Sequence, residues 1–130
     1  LDATAPIRKI SDLEQALRLF KKEKPKTLFS AVPARKNPYF NMVEEDGEGR
    51  ANYSKTNTNF ARRQDAPKVY DMNASIYIYD SKYLIDENNQ KPISDDSVAY
   101  VMNETSAIDV DSEIDFKFIE FLLKESIISL

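Results

Sequence analysis

The sequence predicts an α/β domain. Three observations predict it: an amphipathic helix pattern at 11–22, short apolar runs rich in strand formers at 27–32, 74–80 and 98–103, and a second helical pattern from 112 to about 128. A helix followed closely by a short buried strand is the building unit of that class. The 130 residues are 42% hydrophobic and 31% charged, which is enough apolar content for one compact domain, 1–130.

The elements follow in order. "SDLEQALRLFKK" opens with Ser11 and Glu14 at capping-box spacing, and Leu13, Ala16, Leu17 and Phe20 fall on one helical face. Pro25 disfavours helical backbone at Lys24 and stops the helix there. "TLFSAV" (27–32) then reads as a buried strand. The next stretch holds the chain's two glycines, Gly47 and Gly49, and "YFNMVEEDGEGRANY" predicts a hairpin with Asp46-Gly47 in its turn. Residues 54–68 have too few apolar side chains for a core of their own and are expected to pack on something else, such as a second subunit. "ASIYIYD" (74–80) alternates Ile76 and Ile78 with Tyr77 and Tyr79, both faces apolar, and is expected as an inner strand. A polar connection with one helical turn near Tyr83 leads to a strand at "VAYVMN", 98–103. In the last helix Ile114, Phe118, Phe121, Leu122 and Ile127 mark a buried face that Phe116, Ile119 and Leu123 widen.

Composition removes several chemistries. The net charge of -4 offers no broad basic field, so neither nucleic acid nor an anionic membrane is an expected partner. With no cysteine and no histidine, thiolate sites, serine–histidine hydrolysis and the usual zinc centres are excluded. No apolar run approaches the roughly 20 residues of a membrane span, and no signal peptide opens the sequence, so a cytoplasmic protein is expected. Leu1 begins without a polar lead-in, as if a buried strand preceded it, and the chain is expected to be part of a longer protein.

Four stretches carry candidate chemistry. In "SAIDVDSEIDF", Asp109 and Asp111 stand two apart, so an extended backbone points both to one side while Ile108 and Val110 face the core. Two carboxylates suit Mg²⁺, which fills its remaining positions with water and phosphate oxygens. The alternative is that Asp111 or Ser112 caps the following helix and Asp109 is a surface residue. An EF-hand is disfavoured, because Glu113 and Ile114 occupy its fifth and sixth positions. In "ARRQDAP", Arg62 and Arg63 could fork onto an anionic substrate or form an ordinary solvated charge run. Asn73 could hydrogen-bond a sugar at a strand entrance or serve a turn. "LDATAPIR" places Asp2, Thr4 and Arg8 around a proline turn at the expected carboxyl end of a strand, where open α/β sheets bind ligands.

Taken in order, "LDATAPIR", "NPYFNMVE", "RRQDAP", "YDMNASIYIY" and "SAIDVDSEIDF" resemble the acylneuraminate cytidylyltransferases, and the likeness covers nearly the whole chain. The resemblance implies a Rossmann-like nucleotide-diphospho-sugar transferase fold and a homodimer, with a projecting β-rich dimerisation arm at about 36–68. It implies a CMP-sugar synthetase that uses CTP and Mg²⁺ to activate a sialic or related nonulosonic acid for lipopolysaccharide or capsule. Asp109 and Asp111 match the paired metal-binding aspartates, and Arg63 matches an arginine of the catalytic site. Asp2, Thr4, Arg8, Asn73 and Tyr77 match substrate-binding positions. The sequence departs from the family at Asp2, commonly Gln, and at Asp71, where some members have Arg, which leaves the sugar acid open. The family's amino-terminal strand and Gly-rich phosphate loop have no counterpart here, so these 130 residues are expected to be inactive alone. A CMP-Kdo-type enzyme and a noncatalytic dimerisation module of the same fold are the alternatives.

Overall fold

The computed structural model describes residues 1–56, 62–88 and 91–129. In chain order its elements are α1 (Ile10–Glu23), β1 (Thr27–Pro33), β2 (Val43–Glu45), β3 (Ala51–Tyr53), a 3₁₀ turn at Arg63–Asp65, β4 (Tyr70–Tyr79), α2 (Ser81–Ile85), β5 (Ser97–Val101), a second 3₁₀ turn at Glu104–Ala107, and α3 (Glu113–Lys124). They form two compact units, one of Leu1–Val32 with Asp71–Leu130 and one of Pro33–Tyr70.

The first unit is α/β with a mixed sheet in the order β4-β1-β5, compatible with a Rossmann-like fold. β1 runs parallel to β5, with Thr27 opposite Ser97 and Ala31 opposite Val101. Asp80, just past β4, donates its N–H to Lys26, just before β1, so β4 runs antiparallel. β4 is therefore an edge strand among the described residues, not the inner strand its apolar faces suggested. The core lies where α1 covers the sheet: Ala16, Leu28, Val32, Ile76 and Met102 are buried, with Leu13, Phe20, Ile78 and Tyr100 packed around them. Burying one such large aliphatic side chain contributes about 1.5–3 kcal/mol.

α1 is capped two residues earlier than its sequence pattern suggests, at Lys9 rather than Ser11. A tight turn, Arg8 N–H to Pro6 O at 2.9 Å, delivers an extended Lys9 to the cap, and Asp12 Oδ2 accepts the Lys9 N–H at 2.8 Å. The Ser11–Glu14 box accordingly does not form, and Asp12 takes the role assigned to Glu14. The helix ends as expected, with Lys24 left-handed at φ 51° before Pro25.

β4 contains a kink that matters for the site. In a regular strand Asn73 and Ile76, three apart, would face opposite sides. Here both meet Met102 in the core, because Ala74 adopts φ 51° and inserts a bulge. Left-handed backbone at a residue with a Cβ costs of order 1 kcal/mol.

α3 corrects a larger expectation. Of its apolar residues only Ile119 and Leu122 are buried, while Ile114, Phe116, Phe118 and Phe121 are exposed. The helical period was legible, but the extent of burial was not. Among the described residues, no helix is long and apolar enough to cross a membrane.

The second unit holds the expected hairpin, β2 antiparallel to β3 with Val43 opposite Tyr53. Asp46 and Gly47 lie in its turn, which is a five-residue loop closed by Asp46 N–H to Arg50 O at 2.9 Å. Asp46 Oδ1 accepts the N–H groups of Glu48 and Arg50, and the glycine that needs positive φ is Gly49, at 79°. Every residue of both strands is exposed. The arm expected at 36–68 falls within this unit, and its residues 57–61 lie outside the described residues.

Candidate functional site

Residues 1–8 form a short irregular lead into α1, held by local bonds that the sequence dictates. Asp2 Oδ1 accepts both the N–H and the hydroxyl of Thr4, at 3.1 and 3.0 Å, an Asx turn that keeps the Asp2 carboxyl below the usual carboxylate range. Arg8 folds back so that its Nη1 donates to the carbonyls of Asp2 (2.8 Å), Ala5 (2.9 Å) and, on β4, Ser75 (3.4 Å). Arg8 thereby pins this segment to the sheet. Its guanidinium is at least partly spent on structure.

Ile108 leaves the second 3₁₀ turn extended, at φ -85°, ψ 109°, and the backbone bends at Asp111 and Ser112 before α3. Val110 N–H donates to Thr4 O at 2.8 Å, joining two motifs that stand more than a hundred residues apart in the chain. The helix cap is made at Ser112, one of the two residues expected for it. Ser112 accepts the Asp115 N–H, and Asp115 Oδ2 accepts the N–H groups of Ser112 (2.8 Å) and Asp111 (3.2 Å) and the Ser112 hydroxyl (2.7 Å). The side chains of Asp109 and Asp111 are left out of this capping.

Asp109 Oδ1 is buried and has no hydrogen-bond partner among the described residues. Burial pushes its carboxyl above the usual carboxylate range, and the charges on Asp111 and Asp2 push it further. The Tyr77 hydroxyl is likewise raised, first by burial and then by Tyr79, Asp2 and Asp109. The Tyr77 ring is nearly parallel to that of Tyr79, with centroids 6.4 Å apart. Asp2, Tyr77, Asp109 and Asp111 thus form one electrostatic neighbourhood. Neighbouring carboxylates with an orphaned buried oxygen are an arrangement that a divalent cation satisfies. Among the described residues no group of three potential ligands is close enough to hold an ion, so the protein would supply the Asp109–Asp111 pair and other ligands the rest.

Asn73 is not at a strand entrance. It lies inside β4 with 2% of its surface exposed, and its carboxamide is fully engaged: Oδ1 accepts from Ser30 Oγ at 2.6 Å, and Nδ2 donates to Ser106 O at 2.9 Å and to Met102 Sδ at 3.4 Å. Ser30 Oγ in turn accepts the Ile76 N–H at 2.8 Å. Ser30 and Ser106, which sequence reading passed over, complete this buried polar cluster. Its only signal in the sequence was a serine on the core face of "TLFSAV", between Leu28 and Val32. Ser75, two residues on, is fully buried with no partner for its hydroxyl among the described residues. Arg63 belongs to the other unit, in the turn Arg63–Asp65, and its side chain lies outside the described residues.

No family model matches the chain. Curated relatives do, two of them as follows. The Post-translational flagellin modification protein B of Campylobacter coli is 46% identical over 125 residues, covering 96% of this chain and 52% of the relative. The CMP-N,N'-diacetyllegionaminic acid synthase of Campylobacter jejuni is 50% identical over 96 residues, covering 74% of this chain and 39% of that protein. The chain belongs to the nonulosonic acid cytidylyltransferase family. It spans about half the length of these relatives or less. Within the first unit the two terminal motifs, 1–8 and 108–112, meet at one place although the sequence separates them by the whole length of the unit.

Proposed function

We propose that these residues form the sugar-acid and metal side of a CMP-nonulosonic acid synthetase, which joins CTP to the anomeric hydroxyl of the acid and releases pyrophosphate. The bond between Val110 and Thr4 carries this reading, because it brings Asp109 and Asp111 beside the Asp2–Arg8 motif. Asp109 and Asp111 would hold Mg²⁺. An ion held there would supply positive charge to offset that on the phosphates of CTP. Asp109 is suited to it because its buried oxygen has no competing donor among the described residues. Arg8 and the Asx turn at Asp2 and Thr4 fix the floor against which the sugar acid would lie, and Tyr77 offers an aromatic face with a hydroxyl. Asn73 acts from behind, holding β4 and the 106 carbonyl rather than the sugar. Arg63 remains a candidate for countering phosphate charge by the likeness of "RRQDAP" to the family.

Both glycines sit in the hairpin unit, so a Gly-rich phosphate cradle would have to come from residues beyond these 130. We therefore expect weak CTP binding and little turnover from this polypeptide alone. The name of the C. jejuni relative makes N,N'-diacetyllegionaminic acid the first sugar acid to try. A homodimer built through the second unit is supported by its hairpin, which exposes Val43 and Tyr53 and buries nothing, since an isolated two-stranded hairpin is marginal in water.

The test is pyrophosphate release from CTP and Mg²⁺ with N,N'-diacetyllegionaminic acid, N-acetylneuraminate or Kdo. It is run on the 130 residues alone and on a chimaera in which they replace the matched 125 residues of the C. coli relative. Release by the chimaera with a nonulosonic acid, and little by the chain alone, is the expected result. Release with Kdo only would overturn the substrate class.

A further inference from the structure

α3 is apolar around far more of its circumference than this chain covers. Ile119 and Leu122 form the strip buried in the unit, at 6% and 7% exposure. On one side of that strip Ile114, Phe118 and Phe121 recur at i, i+4 and i+7, exposed to 77%, 48% and 52%. On the other, Phe116, 60% exposed, and Leu123 line a groove of about 460 Å³ with Ala3, Thr4, Pro6 and Val110. The groove adjoins the candidate site, since Ala3, Thr4 and Pro6 of the segment 1–8 line it together with Val110. The paired charges of α3 lie on the remaining face, where Lys117 pairs with Glu113 at 2.7 Å and Lys124 with Glu120 at 3.0 Å, all four well exposed, while Glu120 also borders the groove and Asp115 is held in the cap. Only that face has the composition of a solvated surface.

We propose that both apolar flanks of α3 are an internal interface of the full-length family protein, covered by the half of its length that this chain does not span. Family membership, not the proposed reaction, supports this, since the matched stretch is 52% of the C. coli relative. A second copy of this chain is a poorer occupant. A two-fold helix contact covers one stripe, whereas these flanks lie on opposite sides of a strip already buried in the unit. A continuous polypeptide of comparable size can wrap both.

Hydroxyl-radical oxidation of Phe116, Phe118 and Phe121 tests this. They should oxidise readily in the 130-residue chain at every protein concentration, and roughly fivefold more slowly or less in the chimaera with the C. coli relative, as half-exposed rings become buried. Equally fast oxidation in the chimaera would overturn the proposal. So would slowing in the chain alone as its concentration rises, which would make a second copy the occupant. Should the chimaera fail to fold, the intact C. coli relative gives the same readout at the side chains aligned with 114, 116, 118 and 121. Protection there supports the interface, and free reactivity removes it.

Discussion

Asn73 and Asp109 show how differently two polar residues near one site can be used. Asn73 satisfies Ser30, Ser106 and Met102 at once, so Asn73→Ala strands a buried hydroxyl and a buried carbonyl. We expect it to destabilise the chain by about 1–3 kcal/mol, read as a lower urea midpoint with an unchanged slope. A substrate-contact role alone would leave the midpoint untouched. Asp109 behaves in the opposite sense. Its folded carboxyl is raised, so its favourable contribution is present below the unfolded value of 3.8 and is lost as pH rises through the folded value. Without divalent ions, Asp109→Asn should match the parent below pH 3.8 and become progressively more stable than it as pH rises across that window. Thermal melts over the pH series check the sign, and an offset that does not change with pH would contradict it.

At the scale of elements, local chemistry was legible and burial was not. Pro25, the Asp46-Gly47 turn and the polar stretch before α3 all mark boundaries that the structure keeps, because each depends on neighbours in sequence. The cap of α1 moved from Ser11 to Lys9 because the preceding Pro6 turn, a feature outside the helix, decides where the chain enters. The exposure of α3 could not be read from its pattern, since periodicity reports an apolar face and not its cover. The question left open at Asp111 is answered at this scale: Ser112 and Asp115 make the cap. Ser112→Ala should cost about 1 kcal/mol, seen as a lower melting midpoint. Asp115 is held below its usual value by the same Ser112 bonds, so its stabilising contribution is present above 3.8 and fades as pH falls through the folded value. In Asp115→Asn that part of the acid-induced loss of α3 should disappear, as followed by far-ultraviolet circular dichroism.

For the whole molecule, five short motifs suggested the family, and two relatives at 46% and 50% identity show it. The meeting place of the first and last motifs was not readable in the sequence. It needed the fold to bring Thr4 and Val110 within hydrogen-bond distance and to bury one oxygen of Asp109. The bulge at Ala74 was equally hidden, since nothing in "YDMNASIYIY" marks an alanine for positive φ. The central claim is that Asp109 and Asp111 together hold the divalent ion on which nucleotidyl transfer depends. The most direct measurement is Mg²⁺-dependent pyrophosphate release by the chimaera carrying Asp109→Asn or Asp111→Asn at saturating CTP. Loss of an ion worth several kcal/mol to the transition state predicts a fall of roughly a hundredfold or more in each variant, with the fold intact. Turnover within about twofold of the parent, at the same Mg²⁺ requirement, would contradict the account.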